Sequence, residues 1–308
     1  MNFKARVFSL ALLFAVFAMT PGVLRAQDAQ PMSEVKLGSA NTTGPEAAAF
    51  DGTNVWIATQ FNDSVTRIRA TDGAITGTFA VGKRPVAVLY AAGSVWVANL
   101  LGDNVTKLNP TTGEVAGTYA AGERPGGLAF DGTNIWVANR ESNTVTKLST
   151  GGAILGTYPV GKRPLGLAFA ADSIWVANSF SNSVTRVSKS GAVLGTYAVG
   201  KGPFGVAAEG DNVWVTNFFG KSVTKLRAAD GFNLGTFKTG DGASGIVFDG
   251  TFIWVVNNGD STVVKMTAEG TIVTTYATGK GPFSVAFDGS RIWVSNFASD
   301  SVSTTATN

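Results

Sequence analysis

The sequence predicts an all-β protein, a seven-bladed β-propeller of four-stranded antiparallel blades, and three observations carry that prediction. The seven tryptophans, Trp56, Trp96, Trp136, Trp175, Trp214, Trp254 and Trp293, are separated by 40, 40, 39, 39, 40 and 39 residues. A unit of that length repeated along the chain is one supersecondary element that buries its apolar faces against its neighbours. Each unit holds four short strand-like runs punctuated by Gly, Asp and Pro turns, and no helical period appears, which fits blades rather than a helical solenoid.

The unit at residues 127–164 shows each element in turn. Its first strand, 127–130, is built of small residues, and Asp131-Gly132 is a tight hairpin signal. The leading strands Val86-Ala87-Val88, Leu165-Gly166-Leu167 and Phe204-Gly205-Val206 also include Gly or Ala, as expected where seven innermost strands crowd one axis. The second strand, 135–138, places Trp136 and Ala138 on one face and Ile135 and Val137 on the other. Both faces are apolar, so it must be covered on both sides. The third strand, 144–148, ends at Gly151-Gly152, and the fourth, 154–158, runs into the link Gly161-Lys162-Arg163-Pro164.

The last unit has only three strands, 283–287, 291–296 and 301–305. Its outer strand is expected to come from residues 34–38, which closes the ring and removes a sticky open edge. The tryptophans are assigned to the core between blades, each removing ~150–250 Å² from water. Asn99, Asn139, Asn178, Asn217, Asn257 and Asn296, at the ends of the second strands, are assigned to bonds with the backbone of their own turns.

Residues 1–26 carry Lys4 and Arg6, an apolar run over 7–19 and a Leu24-Arg25-Ala26 ending, the pattern of a signal peptide. A single propeller domain over 27–308, exported to the periplasm or beyond, is the expectation. The leader's apolar run is shorter than the ~20 residues that span a bilayer, so no membrane span is expected, and a monomer is expected. Of 24 basic residues three leave with the leader, so 21 remain against 21 acidic ones. A neutral chain lacks the global attraction for nucleic acid, which makes that partner unfavoured without a local basic patch. The chain has no Cys and no His, which removes disulfides, zinc-thiolate sites and the commonest general base.

The segments Trp96-Val97-Ala98-Asn99, Trp136-Val137-Ala138-Asn139 and Trp175-Val176-Ala177-Asn178, with Ser-Asn-Thr-Val-Thr-Lys-Leu-like strands and Gly-Lys-Arg-Pro-x-Gly links, resemble the YVTN-type bacterial β-propeller repeat. The resemblance covers residues 34–305, with Trp in the place usually held by Tyr. It implies a fold and no particular chemistry. The chain is also similar to virginiamycin B lyase-like and NHL-like propellers. The lyase mechanism relies on histidine and a magnesium-binding carboxylate, and with no histidine here none of those roles carries over. No cofactor is expected.

If the innermost strands run from top to bottom, the links and the second-to-third loops share the top face. The links carry Lys83, Arg84, Arg124, Lys162, Arg163, Lys201 and Lys280 against Glu46, Glu123 and Asp241. The bottom turns carry Asp51, Asp72, Asp131, Asp172, Glu209, Asp211, Asp230, Asp249, Glu269 and Asp288, with few bases nearby. The Asp-Gly turns lack the alternating Asp spacing of a calcium loop. Phe61, Phe180, Phe218, Phe219 and Phe297 lie in top loops, and Phe204 and Phe283 follow link prolines. Aromatic faces beside cations suit a carbohydrate-like or planar anionic ligand, or a protein partner, at the top. The same residues also suit solvated rim charges and a plugged channel mouth. The pattern breaks at Gly240-Asp241-Gly242-Ala243 and at Phe218-Phe219, which directs the search between blades 5 and 6. The expected function is thus a non-enzymatic binding scaffold; a metal-dependent lyase and a polyanion binder are the alternatives.

Overall fold

Seven sheets stand around one axis in the computed structural model, which describes residues 29–39 and 42–307. The leader expected at 1–26 lies outside the described residues. Blades 1 to 6 span 45–80, 85–120, 125–159, 164–198, 203–238 and 243–277, each with its four strands in chain order from the axis outward. Blade 7 has Pro282–Phe287, Arg291–Asn296 and Ser301–Ala306, and its inner strand packs back against that of blade 1. Among the described residues no helix is long and apolar enough to cross a membrane.

The missing strand is supplied as expected: Ser33–Lys36 pairs antiparallel with Ser301–Ala306, Val35 opposite Val302. Val35 and Leu37 pack on the cluster around Trp293. A feature not foreseen is Gln30–Pro31, which adds in parallel to the outer strand of blade 6, so the N-terminal segment fastens two blades.

All seven tryptophans are fully buried, and each joins the second strand of the following blade, as Trp136 joins Ile174 and Val176. The acidic hairpin turns serve these rings. Asp51, Asp131, Asp249 and Asp288 accept the indole N–H of their blade's tryptophan at 2.6–2.8 Å, and Glu209 does so at 3.3 Å. Trp96 donates to the Ala91 carbonyl, whereas the Trp175 indole N–H has no partner among the described residues.

A second set of contacts ties blade to blade. Arg67, Lys107, Lys147, Arg186, Lys225 and Lys265, all on third strands, lie 5.1–5.8 Å over the ring of their own blade's tryptophan. Each donates to a backbone carbonyl of the next blade, on the turn residues Pro110, Thr150, Lys189, Ala229 and Ala268 and on Thr307 after the last strand, at 2.5–2.9 Å. Cation–π attraction and a charge-assisted hydrogen bond thus act on one side chain. In blade 7 Thr304 stands opposite Trp293, and Arg291 takes over, lying over Trp293 and donating to the Ala70 carbonyl of blade 1. These cations correct the sequence reading of the bottom face, which is not poor in bases.

The asparagine series also differs from expectation. All six are fully buried, and they bond across strands instead of to their own turns. Asn139 Nδ2 donates to Thr144 and Thr146 on the third strand, while its Oδ1 accepts from Gly122 N of the preceding link. Crowding at the axis explains the small residues: a Cβ on Gly127 would stand 2.0 Å from the Leu165 carbonyl oxygen of the next blade.

Closure depends on Asp300 as well. It sits at φ 47° before the third strand of blade 7, fully buried, and accepts from the backbone N–H groups of Thr42, Thr43 and Gly44. Burial works to raise its pKa, but those donors and the Thr43 hydroxyl outweigh it and leave the carboxyl below its ordinary 3.8. A depressed folded pKa contributes stability that is complete above the unfolded value and lost as pH falls through the folded one. Asp300→Asn, which tolerates the left-handed backbone, is therefore expected to lower stability at neutral pH and to flatten its fall in acid below pH 4. Urea midpoints measured from pH 2 to 7 test this, and identical acid slopes for both proteins would refute it.

Candidate functional site

The residue before each first strand, where the link turns into the blade, is held in the left-handed region in all seven units. These are Gly44, Arg84, Arg124, Arg163, Gly202, Gly242 and Gly281, with φ between 52° and 70°. Glycine occupies that region at little cost, whereas a residue with a Cβ is disfavoured by roughly 1–2 kcal/mol. The backbone is fixed independently of the side chain: Asp63, Asp103, Asn143 and Asn182 cap the N–H groups of Arg84, Arg124, Arg163 and Gly202 at 2.7–2.9 Å. Arginine at three of these positions is thus strain without a backbone requirement, which marks a role for the side chains.

Arg84 and Arg163 enter a cavity of about 510 Å³ at the upper mouth of the central channel. Its floor continues into a narrower space of about 170 Å³ between the innermost strands, and Glu46, Arg140, Leu165, Phe204 and Phe283 line both. The wall is divided. Arg84, Arg140 and Arg163, with Glu46, supply charge from blades 1 to 4, while Phe204, Phe218, Phe219, Phe283 and Phe297 come from blades 5 and 7. These rings form a continuous chain of contacts, Phe219 to Phe218, Phe204, Phe283 and Phe297, with centroids 5.2–6.1 Å apart.

The charged half is loosely paired. Arg84 Nε donates to Gln60 at 2.6 Å, and Arg163 lies 4.5 Å over the Phe180 ring. Arg140 approaches Glu46 only to 3.9 Å, with both side chains nearly buried, at 15% and 11% exposure. Burial pushes the Glu46 carboxyl up to about 7 in spite of Arg140 and Arg84. Gly126 makes room for this arrangement, since a Cβ there would stand 2.0 Å from Arg140 Nε. That Nε is buried without a hydrogen-bond partner among the described residues.

Of the residues singled out in the sequence, Glu46, Arg84, Arg163, Phe180, Phe204, Phe218, Phe219, Phe283 and Phe297 meet in the cavity wall, whereas Phe61 does not line it. Lys83, Lys162, Lys201 and Lys280 stand exposed on the rim. Arg124 pairs with Glu141 at 3.5 Å, and Asp241 pairs with Lys221 at 2.8 Å. The irregular sixth link folds onto Gly259, so the cavity lies on the axis and not between blades 5 and 6. Sequence reasoning missed Arg140 and counted Glu46 as a rim acid. A signal existed: at the loop position of Arg140 the other blades carry Gln60, Leu100, Ser179, Phe218, Asn258 and Phe297, none charged.

The donor set does not fit the magnesium chemistry implied by the lyase resemblance. The mouth holds one carboxylate and no histidine, and among the described residues no three His, Cys, Asp or Glu side chains gather.

No protein-family model matches the sequence, and no curated protein is detectably similar to it. Solved structures are similar in fold. A catalytically inactive His-to-Ala virginiamycin B lyase from Staphylococcus aureus with quinupristin matches with a TM-score of 0.79 at 19% identity, covering 90% of this chain and 99% of that one. Hydrazine synthase of Kuenenia stuttgartiensis matches with 0.79 at 19% identity over 88% and 97%, and a streptogramin B lyase with 0.78 at 18% over 90% and 97%. At these identities the likeness shows the fold alone: this chain is a seven-bladed propeller resembling the virginiamycin B lyase propellers.

Proposed function

We propose that this chain is an exported binding propeller that holds a small organic anion in the mouth of its central channel. The observation that carries the reading is the convergence of Arg84, Arg140 and Arg163 on one side of a cavity whose other side is phenylalanine. A concave site of this size, mostly apolar with a few convergent polar groups, is the form small-ligand sites take. The exposed rim lysines supply long-range attraction for an anion rather than contacts. A neighbouring lyase fold and the raised pKa of Glu46 favour a second reading as a carboxylate-based lyase. One carboxylate without a second acid, base or metal ligand supports binding better.

Strain at the link arginines gives the test. Arg84→Gly and Arg163→Gly are expected to melt at or above the wild-type temperature, because glycine relieves the left-handed strain. Both are expected to lose most of the thermal stabilisation that a bound anion confers by mass action. Differential scanning fluorimetry against a panel of organic anions measures both quantities. Unchanged ligand shifts in both variants would remove these arginines from the site.

A further inference from the structure

We infer that the ligand is an aromatic carboxylate whose carboxylate replaces Glu46 as the partner of Arg140, and that Glu46 takes up a proton from water as the ligand binds. This rests on the reading of the channel mouth as an anion site and specifies its ligand and its coupling.

The head group follows from an unfilled donor set. Arg140 Nε is buried with no acceptor among the described residues, and the Glu46 oxygen 3.9 Å from the guanidinium is beyond hydrogen-bonding distance. Glu46 makes no side-chain hydrogen bond among the described residues, so two nearly buried charges face each other without satisfying each other. A planar fork of donors in that state matches a carboxylate bidentately. The body follows from the opposite wall. Phe204, Phe218, Phe283 and their neighbours offer rings and no hydrogen-bonding atoms. A sugar placed there would lose its bonds to water without replacement, whereas an aromatic ring gains edge-to-face and offset contacts.

The proton follows from charge. Arg84, Arg140 and Arg163 are the other charged side chains lining the mouth and the channel below it among the described residues, and each already carries its full complement of protons, so Glu46 is the group there that can take one up. Two carboxylates competing for one arginine in a buried site drive one of them to protonate. Burial already holds Glu46 near neutrality, with a pKa of about 7, so its protonation there needs little free energy. No covalent bond between heavy atoms is made or broken; one proton moves from solvent to Glu46 for each ligand that binds to the ionised form.

Isothermal calorimetry of the purified protein with 2-naphthoate, run at pH 6 and pH 8 in buffers of different ionisation enthalpy, tests the inference. The expected Kd is about tenfold weaker at pH 8 than at pH 6, with proton uptake approaching one per ligand at pH 8. Glu46→Gln is expected to bind with neither dependence, and neutral 2-naphthamide is expected not to bind. Binding of 2-naphthoate with equal Kd at both pH values and no proton uptake overturns the coupling and leaves the anion site standing. Binding of acetate or inorganic phosphate but not 2-naphthoate overturns the aromatic body. If none of the three anions binds at either pH, the anion-site reading itself falls. Should Glu46→Gln fail to fold, the wild-type buffer comparison decides alone.

Discussion

Deletion of residues 27–40 is expected to lower the melting temperature by about 10–20 °C. The strand Ser33–Lys36 supplies the ladder bonds that complete blade 7, each worth roughly 1 kcal/mol net. Val35 and Leu37 cover the Trp293 cluster, and burying such side chains stabilises by about 1.5–3 kcal/mol each when complete. Together these reach about 5 kcal/mol, discounted for partial burial, and a domain of this size loses about 2–4 °C per kcal/mol. The deletion also exposes the Ser301–Ala306 edge, while Thr42, Thr43 and Gly44, which donate their N–H groups to Asp300, lie outside it. Calorimetry of the truncated protein checks this; an unchanged melting temperature would sink the latch.

Replacement of Trp136 by alanine is the second large effect, about 3–5 kcal/mol, because a fully buried indole between two blades leaves a cavity that neither sheet can close alone. The phenylalanine variants separate packing from hydrogen bonding. Trp136→Phe also strips Asp131 of its indole donor, whereas Trp175→Phe removes an N–H that already lacks a partner. The Asp131 carboxyl is a nearly buried group: burial raises its pKa, but the Trp136 indole and the turn N–H groups together hold it below its ordinary value. Chemical denaturation should therefore show Trp136→Phe as less stable than Trp175→Phe by about 1–2 kcal/mol. Equal losses would mean that the indole bonds add nothing to packing.

The ring was legible because its period is written in a residue with one structural use. A tryptophan every 40 residues or so can be counted, and so can the three strands of the last unit, one too few, that called for an N-terminal strand. The third-strand cations were open to the same counting, but Lys107 or Lys147 on an alternating strand reads as solvent-facing. Their acceptors lie on turns 42–43 residues downstream, where no local pattern points to them. The site was half legible for a related reason. Arg84 and Arg163 belong to a repeated link and were found with it; Arg140 is a single departure at one loop position and becomes visible only when seven units are superposed around an axis. The same applies to Glu46, whose chemistry comes from burial under the loop of blade 3, not from its own neighbours in the chain.

The hydrogen bonds from each cation to the following blade give the molecule a sense of rotation. Donor and acceptor travel together within every unit of blades 2 to 6, so each such unit is a self-contained link that hands on to whatever unit comes next. Only Arg291, which delivers from a different strand to Ala70, is written for one place. A copied middle unit could thus be read into the interior of the ring without new chemistry, while the final unit is the terminator that tells the chain to stop counting and join its beginning.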